Sequence, residues 1–363
     1  RPRPAPMPRE AFILCAFTRT GRSAGRPRTG NYTMKAKTIY HGLRRRAQAT
    51  HAVPRFEGRE SRHHESVPVW RLLAEASAHA LKARRRLTDV ETFVQFAGFP
   101  RSGHSLIGSI LDAHPQARVS HELDAMGLLL QGVPLAAIFS LIDRRALEFT
   151  RHGRCWNGFS YLVPGGAHTR VDPLRVLGDK KGDQAVRRVA QDPGLLERLN
   201  RRPRPAKKWI LVLRNPFDNI ATMSLRKGRA YDELRTSVAD EDFDTALRAY
   251  QADGRIADVA LDSQIEDYAA LCRTVADIKH RTAPAHWFEL SHEALTADPE
   301  ATIRSMLAFL DLPVDEAYVR ACSGLVQRTP NRSRDRLDWP DDRQARVAAL
   351  TREFSFLNRY DEP

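Results

Sequence analysis

The stretch "GFPRSGHS" (Gly98 to Ser105) places two glycines five positions apart and ends in a hydroxyl at Ser105. This is the frame of G-x-x-x-x-G-K-[ST], a loop whose backbone amides cradle phosphate, but His104 stands at the lysine position. A permanent cation appears earlier instead, at Arg101. A kinase or nucleotidase needs the loop lysine for the β- and γ-phosphates and usually an acidic magnesium ligand after another strand. In this chain the apolar run "WILVL" leads into Arg214, not an aspartate. Both strand ends therefore favour anions, and neither offers a metal seat. Packing alone also produces glycine-rich turns, so the loop needs partners before it means anything.

The elements around it supply the required context. "TFVQFAG" (Thr92 to Gly98) reads as a buried strand, and "SLIGSILDAHP" (Ser105 to Pro115) as an amphipathic helix that Pro115 ends. Strand, glycine loop and helix in succession is the setting a phosphate loop demands. Further strands are expected at Ala117–Glu122, Arg175–Gly182, Lys207–Asn219 and His286–Leu295. Helices are expected at Val69–Leu87, Leu135–Thr150, from Gly182 to about Asn200, and at Phe217–Lys227, Asp242–Asp253, Gln264–Arg281 and Asp298–Pro313. Strands alternating with helices predict an α/β fold, a three-layer, P-loop-like parallel sheet flanked by helices.

Composition narrows the function classes. The formal net charge is +14, but residues 1–60 hold 14 Lys+Arg against 3 Asp+Glu, leaving 44 and 41 for the rest of the chain. The basicity belongs to a Pro-, Arg- and Gly-rich N-terminal stretch, so a nucleic-acid partner is not expected. Residues 1–60 are predicted to be a disordered tail and residues 61–363 a single catalytic domain. No run approaches 18 apolar residues, so no membrane span is expected. The four cysteines are scattered without C-x-x-C pairing, which predicts neither a disulfide scaffold nor a zinc site and suits the reducing cytoplasm.

"GFPRSGHSLIGSILDAHP" and "WILVLRNPFDNIATMSLRKG" together resemble the two nucleotide motifs of sulfotransferases that use 3′-phosphoadenosine 5′-phosphosulfate (PAPS). The text is nearest the tyrosylprotein and carbohydrate branches, and "HWFELSHEALTADPEATIRSMLAFLDLP" resembles the family's C-terminal strand and helix. The likeness runs from about Thr92 to Tyr360. It implies sulfonate transfer from PAPS to a hydroxyl of a small molecule, carbohydrate or peptide, with PAP as product and no metal. The resemblance assigns the 5′-phosphosulfate to Arg101, Ser102, Gly103, His104 and Ser105, where helix-terminal amides suit an anion. It assigns the 3′-phosphate to Arg214 and Thr222, with Arg332 or Arg334 of "RTPNRSRD" closing over it. Threonine at 222 and histidine at 104 depart from the family's usual serine and threonine. The base falls at Glu122 in "VSHELDA", with His121 and then Asp124 as competitors. Lys180 in "LGDKKGD" takes the lysine that steadies the sulfonate, ahead of Lys181. A P-loop small-molecule kinase, or a catalytically silent PAP-binding protein, is the alternative.

Overall fold

A computed structural model of the chain describes residues 49–57, 63–168, 173–227, 234, 237–238, 243–253, 260–329 and 331–360. Residues Arg46–Pro363 cluster as one compact unit. Most of the expected tail, and parts of the segment from Tyr231 to Asp262, lie outside the described residues.

Nine strands are present among the described residues: β1 Thr50–Arg55, β2 His63–Pro68, β3 Thr92–Gly98, β4 Ala117–Ser120, β5 Cys155–Trp156, β6 Phe159–Ser160, β7 Val176–Asp179, β8 Ala206–Leu213 and β9 Trp287–Ser291. Five of them form one sheet in the order β4-β7-β3-β8-β9, and every pairing in it is parallel. Parallel strands require crossovers, and helices supply them on both faces. The run "WILVL" shows why. Trp209, Leu211 and Leu213 enter one apolar core while Ile210 and Val212 enter the other. With a side-chain period of two, only a strand covered on both faces can be apolar at every position.

One face is covered by α1 Val69–Thr88, α3 Ala125–Leu130, α4 Leu135–Arg151, α5 Gly182–Gln191, α6 Leu195–Asn200, α9 Ala260–His280 and α13 Asp341–Glu353, and also receives residues of α7 Pro216–Leu225. The other is covered by α2 His104–Asp112, α11 Pro299–Phe309 and α12 Glu316–Ser323. Two more helices are α8 Phe243–Ala252 and α10 His292–Ala297. Among the described residues no helix is long and apolar enough to cross a membrane.

The structure departs from the expected tail boundary at residue 60. Thr50–Arg55 is a strand paired antiparallel with His63–Pro68, and Val53 and Phe56 are buried. The physical reason is local: "HAVPRF" buries His51, Val53, Pro54 and Phe56 and exposes Ala52 and Arg55, and so has a face to hide, unlike the Arg/Pro-rich text before it.

Candidate functional site

The loop after β3 and the turn after β8 lie at the carboxyl ends of neighbouring strands, where ligands of open parallel sheets gather. Helix α2 begins at His104, so its first-turn amides face the loop. Arg101 is exposed and holds a positive φ of 69°, uncommon for a residue with a side chain. Ser102 is turned inward instead. Its amide and hydroxyl both go to the Phe99 carbonyl, at 3.3 and 2.9 Å, and the residue is fully buried.

The His104 ring is also turned inward, leaving its amide at the start of α2. The ring points beneath the loop, where Nε2 lies 3.1 Å from the Ala97 carbonyl and burial lowers its pKa. The neutral ring can then donate from Nε2 to that carbonyl. A Cβ added to Gly182 would come within 2.5 Å of Nε2, so glycine at the start of α5 is what makes room for the ring. The histidine thus replaces a ligand-facing residue with a packing one.

Above the first turn of α2 stands an ion cluster. Lys180 is buried and its Nζ donates to Glu122 Oε1 and, at 2.9 Å, to Ser105 Oγ. Lys181 Nζ lies 3.4 Å from Glu122 Oε2, and His64 Nε2 lies 3.8 Å from the same oxygen. Burial pushes the Glu122 pKa upward, but the two lysines outweigh it and hold the carboxyl well below the usual carboxylate range. The stem of Lys180 crosses α2 at Gly108, where a Cβ would meet its own Cβ at 2.8 Å. Beneath the cluster, Asp179 fastens the turn that carries Glu122. It accepts from Ser120 Oγ and from the amide of Ala125, both at 2.8 Å, and burial pushes its pKa up to about 6.

The competitors for Glu122 are otherwise engaged. His121 is buried in an aromatic cluster, stacked on Phe149 at 4.2 Å and edge-on to Trp156 at 5.4 Å, and desolvation drives its pKa well down. Asp124 caps α3 through the Gly127 amide at 2.9 Å and pairs with Arg188 at 2.9 Å.

The second seat forms around Arg214. Its Nη1 donates to Thr222 Oγ1 at 3.0 Å and to the Arg101 carbonyl at 3.4 Å, which ties this seat to the glycine loop. Its Nη2 donates to the Asn331 carbonyl at 2.5 Å and Ser333 Oγ at 3.4 Å, and Thr222 Oγ1 lies 2.9 Å from Ser333 Oγ. The late basic loop therefore meets Arg214 through Asn331 and Ser333. Arg334 turns to Asp218, whose carboxylate accepts from its backbone amide at 2.9 Å and its guanidinium at 3.1 Å. Arg332 is exposed and pairs with Asp335 at 3.2 Å.

Four residues at or beside these seats were not singled out from the sequence: His64, Tyr161, His292 and Ser333. His64 arrives through strand pairing. His292 sits between the seats, its Cδ2 within 3.3 Å of where a Gly103 Cβ would be, and it feels the charge of Arg214. No local pattern marks any of the four, because each reaches its seat across a long sequence separation.

Residues 194–316 match the family model described as "Sulfotransferase family". The matched segment contains Arg214 and Thr222 but not the Gly98–Ser105 loop. No curated protein matches the chain. Among solved structures it is similar to the sulfotransferase domain of the Synechococcus PCC 7002 olefin synthase, at 13% identity and TM-score 0.38, covering 76% of this chain and 97% of that one. It is likewise similar to sulfotransferase STF9 from Mycobacterium avium, at 12% identity and TM-score 0.42, covering 80% and 83%. A third is mouse sulfotransferase SULT7A1 complexed with PAP, at 12% identity and TM-score 0.37, covering 77% and 90%.

Proposed function

We propose that the chain is a sulfotransferase that transfers a sulfonate from PAPS to a hydroxyl acceptor. The observation that carries this reading is the pair of anion-ready seats on adjacent strands, with a lysine-held carboxylate over the first. The 5′-phosphosulfate would sit on the amides of Gly103, His104 and Ser105, and Arg101 would meet the oxygen that bridges phosphorus and sulfur. Arg214, Thr222 and Ser333 would hold the 3′-phosphate, a group ATP lacks. Arg214 suits it because a guanidinium binds phosphate bidentately. Arg334 would hold the late loop in place through Asp218, and Arg332 would add charge at its rim.

In the reaction the acceptor oxygen forms a bond to sulfur while the bond from sulfur to the bridging oxygen breaks. The bonding pair leaves with PAP, and the acceptor's proton goes to Glu122. Lys180 serves both sides of this exchange. Paired with Glu122 it keeps the carboxylate ionised; shifted toward the sulfonate it would neutralise charge on the transferring group and leave Glu122 more basic. No step calls for a metal.

PAP should raise the melting temperature without magnesium, by the equivalent of about 2.7 kcal/mol at a hundredfold excess over its Kd. ATP should do much less. Equal shifts for the two nucleotides, or a shift that needs magnesium, would overturn the donor assignment. Labelled-sulfonate transfer from PAPS across alcohols, sugars, phenols and peptides then identifies the acceptor.

A further inference from the structure

The paired strands β1 and β2 precede the sheet in the chain, yet they are fastened to the turn that carries Glu122. His51 on β1 is buried, and its Nε2 lies 2.8 Å from the carbonyl of Leu123, the residue after Glu122. Burial lowers the pKa of His51, so the neutral ring donates that bond. Beside it, Gln131 Nε2 donates to the Thr50 carbonyl at 2.9 Å. The register sets Pro54 of β1 opposite His64 of β2, so the same pair of strands carries His64 to the ion cluster.

There His64 Nε2 lies 3.2 Å from Lys181 Nζ and 3.8 Å from Glu122 Oε2, and its ring stands edge-on to Trp156 at 5.6 Å. An ammonium has only donors, so the lysine contact is a hydrogen bond when Nε2 carries no proton. Burial and the charge of Lys181 both lower the pKa of His64, which keeps the ring neutral and able to accept. The two lysines are thereby tethered to different elements. Lys180 reaches one oxygen of Glu122 and the Ser105 hydroxyl at the end of the glycine loop. Lys181 faces the other oxygen at 3.4 Å and donates to His64 on β2.

We propose that His64 is a positioning residue that holds Lys181 on Glu122 while Lys180 turns to the sulfonate. This rests on the sulfotransfer reading above. With Lys180 drawn to the donor, burial pushes the Glu122 carboxyl toward its neutral form, and Lys181 is the lysine left to oppose it. A protonated carboxyl could not take the acceptor's proton. A lysine side chain gives up rotamer freedom to stay in one place, and the same sulfonate attracts it. The acceptor at His64 offsets that cost and ties Lys181 to β2, whereas Ser105 ties Lys180 to the loop.

Packing and hydrogen bonding can be separated at this position. His64→Phe keeps a ring against Trp156 and removes the acceptor. His64→Gln removes the ring and supplies Oε1 as an acceptor. Both are compared with the native protein on labelled PAPS, following sulfate release to water and transfer to the fastest acceptor among alcohols, sugars, phenols and peptides. His64→Phe should lower kcat about tenfold in both reactions, with KM for PAPS and the PAP-induced melting shift unchanged. His64→Gln should recover most of that loss. In a Lys181→Met background, itself slower than native, His64→Phe should cost nothing more, because the histidine then has no lysine to hold. A normal Phe variant beside a slow Gln variant would mean that His64 serves the aromatic cluster, and would overturn the inference. Native rates in both variants, additive losses in the double variant, or a Lys181→Met protein as fast as native would overturn it too. If both His64 variants are slow, the cycle with Lys181→Met decides, and His64→Ala replaces His64→Phe in it should the latter fail to fold. If the native protein neither turns over PAPS nor responds to PAP, the sulfotransfer reading fails first and takes this inference with it.

Discussion

The two seats on the sheet edge are built from different kinds of bond. Around Ser105 the partners are charged: Lys180 and Lys181 close on Glu122, and Lys180 also reaches the serine. Around Arg214 the contacts include neutral oxygens, the carbonyls of Arg101 and Asn331 and the hydroxyls of Thr222 and Ser333. A phosphate arriving at Arg214 would replace neutral acceptors in these contacts with a doubly charged one, which favours binding. An anion arriving beside Lys180 competes with a carboxylate already there. That competition costs affinity, but it alters the basicity of Glu122 when the donor is in place. On the proposed function, one seat would hold and the other would react.

The largest effect should come from the reacting seat. Glu122→Gln retains the size of the side chain and its bond from Lys180, yet cannot take the acceptor's proton. Turnover should fall by about 10²–10⁴-fold while PAP binding stays near the native value. A variant that turns over normally would move the base elsewhere and dissolve the contrast between the seats. At the holding seat the pattern should invert. Arg214→Ala removes a bidentate charged contact and should weaken PAP by about a hundredfold. It should do little to 5′-AMP, which carries no 3′-phosphate. Equal losses for the two nucleotides would mean that Arg214 serves the fold and not the phosphate.

These two residues also mark how far the sequence could be read. Arg214 was legible because the strand before it is an unbroken apolar run and its companion Thr222 lies two helical turns on. Glu122 was legible from family position but not from strand alternation, since β4 ends at Ser120 and Glu122 adopts a φ of 62°. The central sheet came through because buried parallel strands announce themselves by composition. The β1–β2 hairpin did not, because Pro54 and the charged text of "RHHES" mask two short strands whose register only pairing reveals. Ser333 was illegible in principle. It lies 119 residues from Arg214, and nothing local distinguishes it from any serine in a polar loop. For His104 the sequence suggested an anion contact through the backbone amide; where its ring goes was not legible, because Gly182, the residue that admits the ring beneath the loop, lies far along the chain.

The pH dependence sharpens the contrast. In the native protein Glu122 titrates below the ordinary carboxylate range of about 4, so the acid limb of kcat/KM should lie below that pH. Lys180→Met removes the nearer cation and leaves burial, which acts in the opposite direction, to dominate. The carboxyl then protonates more easily and the acid limb should move toward neutral pH, on top of the lost rate. The same linkage has a stability sign. A depressed native pKa contributes stability that is present above the unfolded value and lost as pH falls through the native one. Lys180→Met should therefore flatten the acid side of the stability profile. An acid limb that stays where it was would show that the lysine does not set the base.

The smallest effects should separate the two arginines of the late loop. Arg334 has 19% of its side chain exposed and is held twice to Asp218, by its backbone amide and its guanidinium. Arg332 is 63% exposed and pairs only with Asp335, three residues on in its own turn, among the contacts described for it. Exposed pairs of that kind contribute about 0–1 kcal/mol, because water and salt screen them and both side chains lose freedom in forming them. Arg332→Ala should accordingly change PAP affinity by no more than about threefold, with most of that change vanishing at high salt. Arg334→Ala acts differently. It removes the guanidinium pair and leaves Asp218 only the backbone amide, which loosens the segment that carries Ser333 and Asn331 onto Arg214, so PAP affinity should drop further, about tenfold, a loss that persists at high salt. The order Arg334 over Arg332, read by calorimetry at two salt concentrations, tests whether the holding seat gains from its loop by shape or by charge. A reversed order, with the Arg332 variant the weaker binder, would mean that the loop's free charge meets the phosphate directly and that the seat is incomplete until the ligand draws that side chain in.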